Sequence, residues 1–296
     1  MITMDGTISG PRGTRIGYAD GGEPTGTPVL FLPGLGDSRL TRHPDEDLTR
    51  SVGVRLITVD QPGVGASGYA PIRSQLEAAD HVLAVADGLG LDRFAVLGWS
   101  AGGPRALAVA VRRPHQVTAV GVAAGFGPLE RPETRALASP QIRQGAAALS
   151  RLPWLAGLFA ARVPSAYRKD PRRAFEQQFG AHASPSDRRL LDDPVIGPMV
   201  LAGAQESVRP GSRGMAQEMR LLLGRPWGFR PEDVAVPVHL FYGDDDRIVP
   251  LPMGEQLAGL LPSAELTVLP GEGHLALFEH WKEILQALAG SPDIRS

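Results

Sequence analysis

Short apolar runs alternate with longer stretches of helical period along most of this chain. Residues 29–32, 56–59, 94–97, 119–123, 238–242 and 266–269 are apolar or nearly so. The first five run into a glycine-bearing loop, and the last meets Pro270-Gly271. Apolar runs this short, bounded by turn residues, predict strands buried on both faces, as in a parallel sheet. Residues 74–89, 104–112, 253–261 and 280–289 predict helices between them. Residues 2–9 and 15–19 predict an opening hairpin. The alternation predicts an α/β fold: a mostly parallel, eight-stranded sheet with helices on both faces.

Residues 126–230 break this rhythm. They are rich in Arg and Pro and predict short helices at 140–150, 154–161, 172–179, 197–206 and 214–223. Aromatic residues occur throughout, which argues for an ordered unit. The organisation expected is a core of residues 1–125 and 231–296, with a helical insertion, 126–230, packed over one end of the sheet. The insertion carries 16 basic and 9 acidic residues, whereas the remainder carries 14 and 23. The plain reading is a basic insertion docked on an acidic core. The functional reading is that some of these arginines attract an anionic or carrier-bound substrate.

Composition narrows the chemistry. The formal net charge of −2 argues against a general nucleic-acid binder. With no cysteine, disulfides, thiolate metal sites and a cysteine nucleophile are excluded. Residues 1–6 lack the basic and apolar regions of a signal peptide, and no stretch approaches the ~18 apolar residues of a membrane span. The expectation is a cytoplasmic protein with no membrane partner. No metal constellation or nucleotide loop is apparent, so no cofactor is expected.

The candidate chemistry starts at Gly98-Trp99-Ser100-Ala101-Gly102-Gly103, between the run 94–97 and an Ala/Leu-rich helical stretch. Gly-x-Ser-x-Gly between strand and helix is a nucleophile elbow, a turn so sharp that its neighbours must be small. A serine nucleophile needs a base, and the base needs an orienting acid. Downstream lies Gly243-Asp244-Asp245-Asp246-Arg247-Ile248-Val249-Pro250. Three adjacent carboxylates repel one another, so at most one is expected to be deeply buried. Asp246 is the choice for the acid and Asp244 the alternative. Of seven histidines, only His274, in Gly271-Glu272-Gly273-His274, follows a strand downstream of both Ser100 and the aspartates. It is the candidate base. The oxyanion hole should combine the N–H of Ala101 with one from Leu32-Pro33-Gly34-Leu35-Gly36-Asp37, at Leu35 or, failing that, Gly36.

These pieces, with Asp60-Gln61-Pro62-Gly63-Val64-Gly65-Ala66-Ser67, occur in order from about residue 13 to 290. Together they resemble the α/β-hydrolases of the insertion-bearing (lidded) esterase and lipase type. The resemblance implies a structural role for the Asp60 loop and places the insertion where that family carries its lid. One departure is Pro33-Gly34, where the family usually has His-Gly. It is expected to alter the oxyanion loop without removing catalysis.

The function expected is hydrolysis of a carboxylic ester, lactone or thioester of a small to medium apolar substrate through an acyl-enzyme on Ser100. Gly34, Trp99, Phe126 and Trp154 are candidate substrate contacts. Carbon–carbon bond hydrolysis also fits the elbow. A non-hydrolytic lyase or cyclase using Ser100 and His274 for proton transfer is the alternative class. A non-catalytic binder is the third, and a degenerate triad would have favoured it.

Overall fold

The computed structural model describes residues 4–290; residues 1–3, which include the start of the expected first strand, lie outside the described residues. Eight strands form one sheet in the order β1-β2-β4-β3-β5-β6-β7-β8. β1 (Met4–Ser9) and β2 (Arg15–Gly22) are the hairpin, and β2 joins β4 antiparallel. β3 (Thr27–Leu32), β4 (Val54–Val59), β5 (Phe94–Trp99), β6 (Val117–Ala123), β7 (Val238–Gly243) and β8 (Ala264–Leu269) run parallel. β5 lies in the middle of the sheet, and every one of its residues is buried.

The two-residue period of a strand sends alternate side chains to opposite faces. Leu30, Leu32 and Val96 enter the core on one face, packed with helices α2 (Gln75–Gly88) and α3 (Gly102–Arg112). Val29, Phe31 and Leu97 enter the core on the other, with Trp281, Ile284 and Leu288. α1 (Glu46–Ser51) follows β3 in the chain. Ser74 caps α2 by accepting the Glu77 N–H (3.1 Å), which sets where that helix begins.

Between β6 and β7 run α4 (Pro132–Leu137), α5 (Pro140–Arg151), α6 (Leu155–Ala160), α7 (Val163–Lys169), α8 (Pro171–Gln178), α9 (Pro185–Asp192), α10 (Ile196–Ser207) and α11 (Arg213–Leu223). α12 (Leu251–Leu260) follows β7, and α13 (Ala276–Glu279) and α14 (Trp281–Ala289) follow β8. The inserted helices have a small core of their own, around Leu149, Tyr167, Val208 and Met215. None of the helices among the described residues is long and apolar enough to cross a membrane.

The expected docking of basic insertion on acidic core is seen where half-buried Arg131 reaches both carboxylate oxygens of Glu232 (2.9 and 2.8 Å), and again at the surface. Arg189 on α9 reaches Glu272 (3.4 Å) and Glu279 (3.5 Å) from an exposed position. Exposed pairs of this kind contribute about 0–1 kcal/mol. The buried pairs have the opposite sense. Arg39, after β3, holds Glu206 of α10 at 2.7 Å, and Arg105 of α3 holds Glu218 of α11 at 3.1 Å. The insertion is thus anchored by acids of its own in the buried pairs and by Arg131 in a half-buried one.

Candidate active site

β5 delivers Ser100 into the turn before α3 with φ +55°, in the left-handed region. A non-glycine residue held there stores on the order of 1–3 kcal/mol. The flanking glycines make the turn possible. A Cβ on Gly102 would run into the Leu32 carbonyl, and one on Gly98 into the backbone of Gly102. The elbow is therefore wedged against the end of β3.

Ser100, His274 and Asp246 meet in one hydrogen-bonded row. His274 Nε2 lies 2.9 Å from Ser100 Oγ, and His274 Nδ1 lies 2.8 Å from Asp246 Oδ2. A carboxylate only accepts, so Nδ1 carries the proton and Nε2 is left to accept from the serine hydroxyl. The other Asp246 oxygen accepts the N–H groups of Ile248 (2.8 Å) and Val249 (2.9 Å), which lock the carboxylate in place. Its side chain is fully buried. Its two neighbours go elsewhere: Asp244 accepts the Gly271 N–H (2.7 Å), and Asp245 pairs with Arg247 at the surface (3.1 Å). Burial pulls the His274 imidazole down. The Asp246 charge and hydrogen bond oppose it, Asp187 and Asp37 add to them, and the net shift is upward.

Among the described residues, neither the Leu35 nor the Ala101 N–H has a hydrogen-bond partner. The Gly36 N–H lies on the same loop, near the Glu218 carboxylate. Gly34 lies against Ser100: a Cβ there would sit 3.1 Å from Ser100 Cβ. Asp60 is occupied structurally. It accepts the N–H groups of Arg39 (2.6 Å) and Ala66 (2.7 Å) and an ion pair from Arg39 (3.1 Å).

Ser100 and His274 open into a cavity of about 460 Å³. Its wall is mainly apolar, built from the insertion by residues such as Phe159, Val163, Phe175, Phe179 and Met219. Trp99 and Phe126 line it. Trp99 also donates from Nε1 to the His274 carbonyl (3.0 Å), so it steadies the histidine as well as the wall. Trp154 does not line it. This residue precedes α6 and is 62% exposed, while Phe159 and Val163 form the wall there. Among the described residues, no arginine or lysine lines the cavity.

Two groups at this site escape sequence reasoning. Asp187, at the start of α9, accepts the Leu275 N–H (2.7 Å) and the Ser184 N–H (2.9 Å). Its signal was Ser184-Pro185-Ser186-Asp187, a capping-box spacing. The spacing identifies a helix start but says nothing of the histidine loop it meets. Asp37 lines the cavity from the end of Leu32-Pro33-Gly34-Leu35-Gly36-Asp37, a loop whose sequence marks backbone donors and not a side chain.

A family model described as alpha/beta hydrolase fold matches residues 27–280. A pimeloyl-(acyl-carrier protein) methyl ester esterase of Aromatoleum aromaticum is 32% identical over 194 residues, 64% of this chain and 70% of that one. A 2-hydroxy-6-oxononadienedioate/2-hydroxy-6-oxononatrienedioate hydrolase of Pseudomonas sp. is 28% identical over 242 residues, 80% of this chain and 77% of that one. The solved esterase RhEst1 from Rhodococcus sp. ECU1013 has the same fold: TM-score 0.70 at 21% identity, covering 98% of this chain and 99% of that one. With the match spanning most of its length, the chain belongs to the α/β-hydrolase family of enzymes.

Proposed function

We propose that this enzyme hydrolyses uncharged or weakly polar carboxylic esters, lactones included, through an acyl-enzyme on Ser100. The observation that carries the reading is the row Ser100–His274–Asp246, joined at 2.9 and 2.8 Å and opening into an apolar cavity. Ser100 Oγ attacks the carbonyl carbon while its proton passes to His274 Nε2. Asp246 fixes the imidazole tautomer and stabilises the cation. The N–H groups of Leu35 and Ala101 receive the oxyanion. Collapse expels the alcohol, which takes the proton from His274. Water then repeats the sequence on the acyl-enzyme, releasing the acid and restoring Ser100. Residues 126–230 act as the lid that supplies the wall and keeps water from the ester.

The relatives' names include a methyl ester esterase and a hydrolase of an oxo-dienedioate. The ester reading is preferred because the apolar wall of this cavity offers no cationic side chain for a carboxylate-bearing substrate. Intact-protein mass spectrometry after treatment with a fluorophosphonate tests it. One covalent adduct on wild type and none on Ser100→Ala is the expected result, with ester turnover in the variant lowered by about 10³-fold or more. A folded wild type that takes no label and turns over no ester would refute the acyl-enzyme.

A further inference from the structure

A second carboxyl group shares the cavity with the catalytic row and has no part in it. Asp37 lines the wall beside Leu35 and Gly36. One of its oxygens accepts from Thr41 Oγ1 (3.1 Å), its only side-chain hydrogen bond among the described residues. The other, Oδ2, lies 3.3 Å from the point where a Cβ on Gly34 would sit; Ser100 Oγ lies 3.5 Å from that same point. The nucleophile and this unpaired oxygen thus flank one stretch of cavity, and a substrate whose carbonyl meets Ser100 passes beside Asp37.

We propose that Asp37 sets the substrate class of this site: it admits esters with an uncharged acyl chain, offers them a hydrogen bond from its carboxyl group, and turns away acyl chains that end in a carboxylate. The inference rests on the ester-hydrolase reading above and reverses the anionic substrate that the insertion's arginines suggested.

The charges around Asp37 all bear on this. Glu218 of α11 faces the same loop, and its partner Arg105 lies on α3, outside the cavity wall. Tyr167 of α7 stands on the insertion side with its hydroxyl donating to Gln178 Oε1 (2.9 Å). His274 is the one nearby group that becomes cationic, and in the resting base form it is neutral. A carboxylate entering here finds no cation to pair with and loses its water, which is costly in an apolar cavity. It also meets Asp37. Burial pushes the Asp37 carboxyl up to about 7, with Glu218 adding to the rise and the Thr41 hydrogen bond and His274 opposing it. Below that pH it is a hydrogen-bond donor to an ester oxygen. Above it, it is a fixed negative charge that repels an anionic acyl chain.

The test compares two esters of equal acyl length, p-nitrophenyl hexanoate and the p-nitrophenyl monoester of adipic acid, at pH 6 and pH 8. The ratio of their kcat/KM values is the readout, because ionisation of His274 affects both esters alike and cancels. Wild type should prefer the hexanoate by at least about tenfold, more strongly at pH 8 than at pH 6. Asp37→Asn keeps an acceptor for Thr41 and removes the charge; it should lower the ratio at pH 8 several-fold and flatten its pH dependence. A wild-type ratio near one, or a ratio that Asp37→Asn leaves unaltered at both pH values, overturns the assignment while leaving the Ser100 chemistry standing. Absence of turnover of either ester by folded wild type overturns both readings.

Discussion

The Asp187 carboxylate of α9 accepts the N–H of Leu275, the residue after His274, at 2.7 Å. The inserted helices are thereby tied to the loop that carries His274. A Cβ on Gly273 would press on Ser184 and Asp187, so the approach is tight. Asp187→Ala strands the buried N–H groups of Leu275 and Ser184, at about 1–3 kcal/mol each. It also lets the histidine loop drift, and a shift of about 1 Å at a catalytic group costs on the order of 10²-fold in kcat. Asp187→Asn can still accept one of the two bonds but loses the charge that helps raise His274. A base with a lower pKa becomes active at lower pH, so the acid limb of the kcat/KM profile should move down in both variants. Profiles that coincide with wild type would reduce Asp187 to a helix cap.

Asp246 and Asp245 are adjacent in sequence and opposite in expected effect. Asp246→Asn keeps the two N–H contacts but disrupts the tautomer that points His274 Nε2 at Ser100, and should cost about 10⁴-fold in kcat. Asp245→Asn gives up a surface contact with Arg247 and should stay within about 0.5 kcal/mol of wild type in stability, with near-normal kcat. Steady-state kinetics on the three proteins decide it; equal losses in the two variants would mean that the acid has been misassigned.

The sheet and the row Ser100–His274–Asp246 are legible in the sequence because each rests on local chemistry. A buried strand is a short apolar run, an elbow needs its glycines, and Ile248-Val249 supply the amides that select Asp246 from three aspartates. The cavity is less legible. Its wall comes from separate helices of the insertion, and nothing periodic distinguishes Phe159, which lines it, from Trp154, which is turned to solvent. The sense of the insertion's ion pairs is likewise hidden. Net charge is a sum dominated by exposed arginines, whereas the most buried ion pairs of the insertion are those of Glu206 and Glu218, which meet Arg39 and Arg105 only after folding.

Arg105 and Glu218 are buried as a pair, with Arg105 Nε and Nη1 and Glu218 Oε2 lacking partners. Arg105→Ala leaves the Glu218 carboxylate buried without its cation and should cost about 3–5 kcal/mol in urea unfolding. Replacing both, with Arg105→Met and Glu218→Leu, removes two desolvated charges together and should come within about 1 kcal/mol of wild type or exceed it. A double variant as unstable as Arg105→Ala would contradict this and give the ion pair a net stabilising role.

Asp37 carries a stability signature separate from its effect on substrates. Its carboxyl is pushed up to about 7 in the folded protein against an ordinary value of 3.8. Between those values the folded state binds a proton that the unfolded chain has released, so this group's contribution to stability falls as pH rises from about 4 to 7. Asp37→Asn removes the titration while keeping the acceptor for Thr41 Oγ1. The variant should therefore melt above wild type at pH 8, by a few degrees, and the difference should shrink at pH 5, where the native carboxyl is protonated. Other carboxyls titrate in both proteins and cancel in the comparison. A gain that stays the same at pH 5 and pH 8 would show that Asp37 is ionised at both, and that its place in the cavity wall costs the fold nothing as the pH rises. A gain confined to high pH would mean the enzyme retains a destabilising carboxyl beside Ser100, as expected where a group in a cavity wall is kept for function rather than for folding.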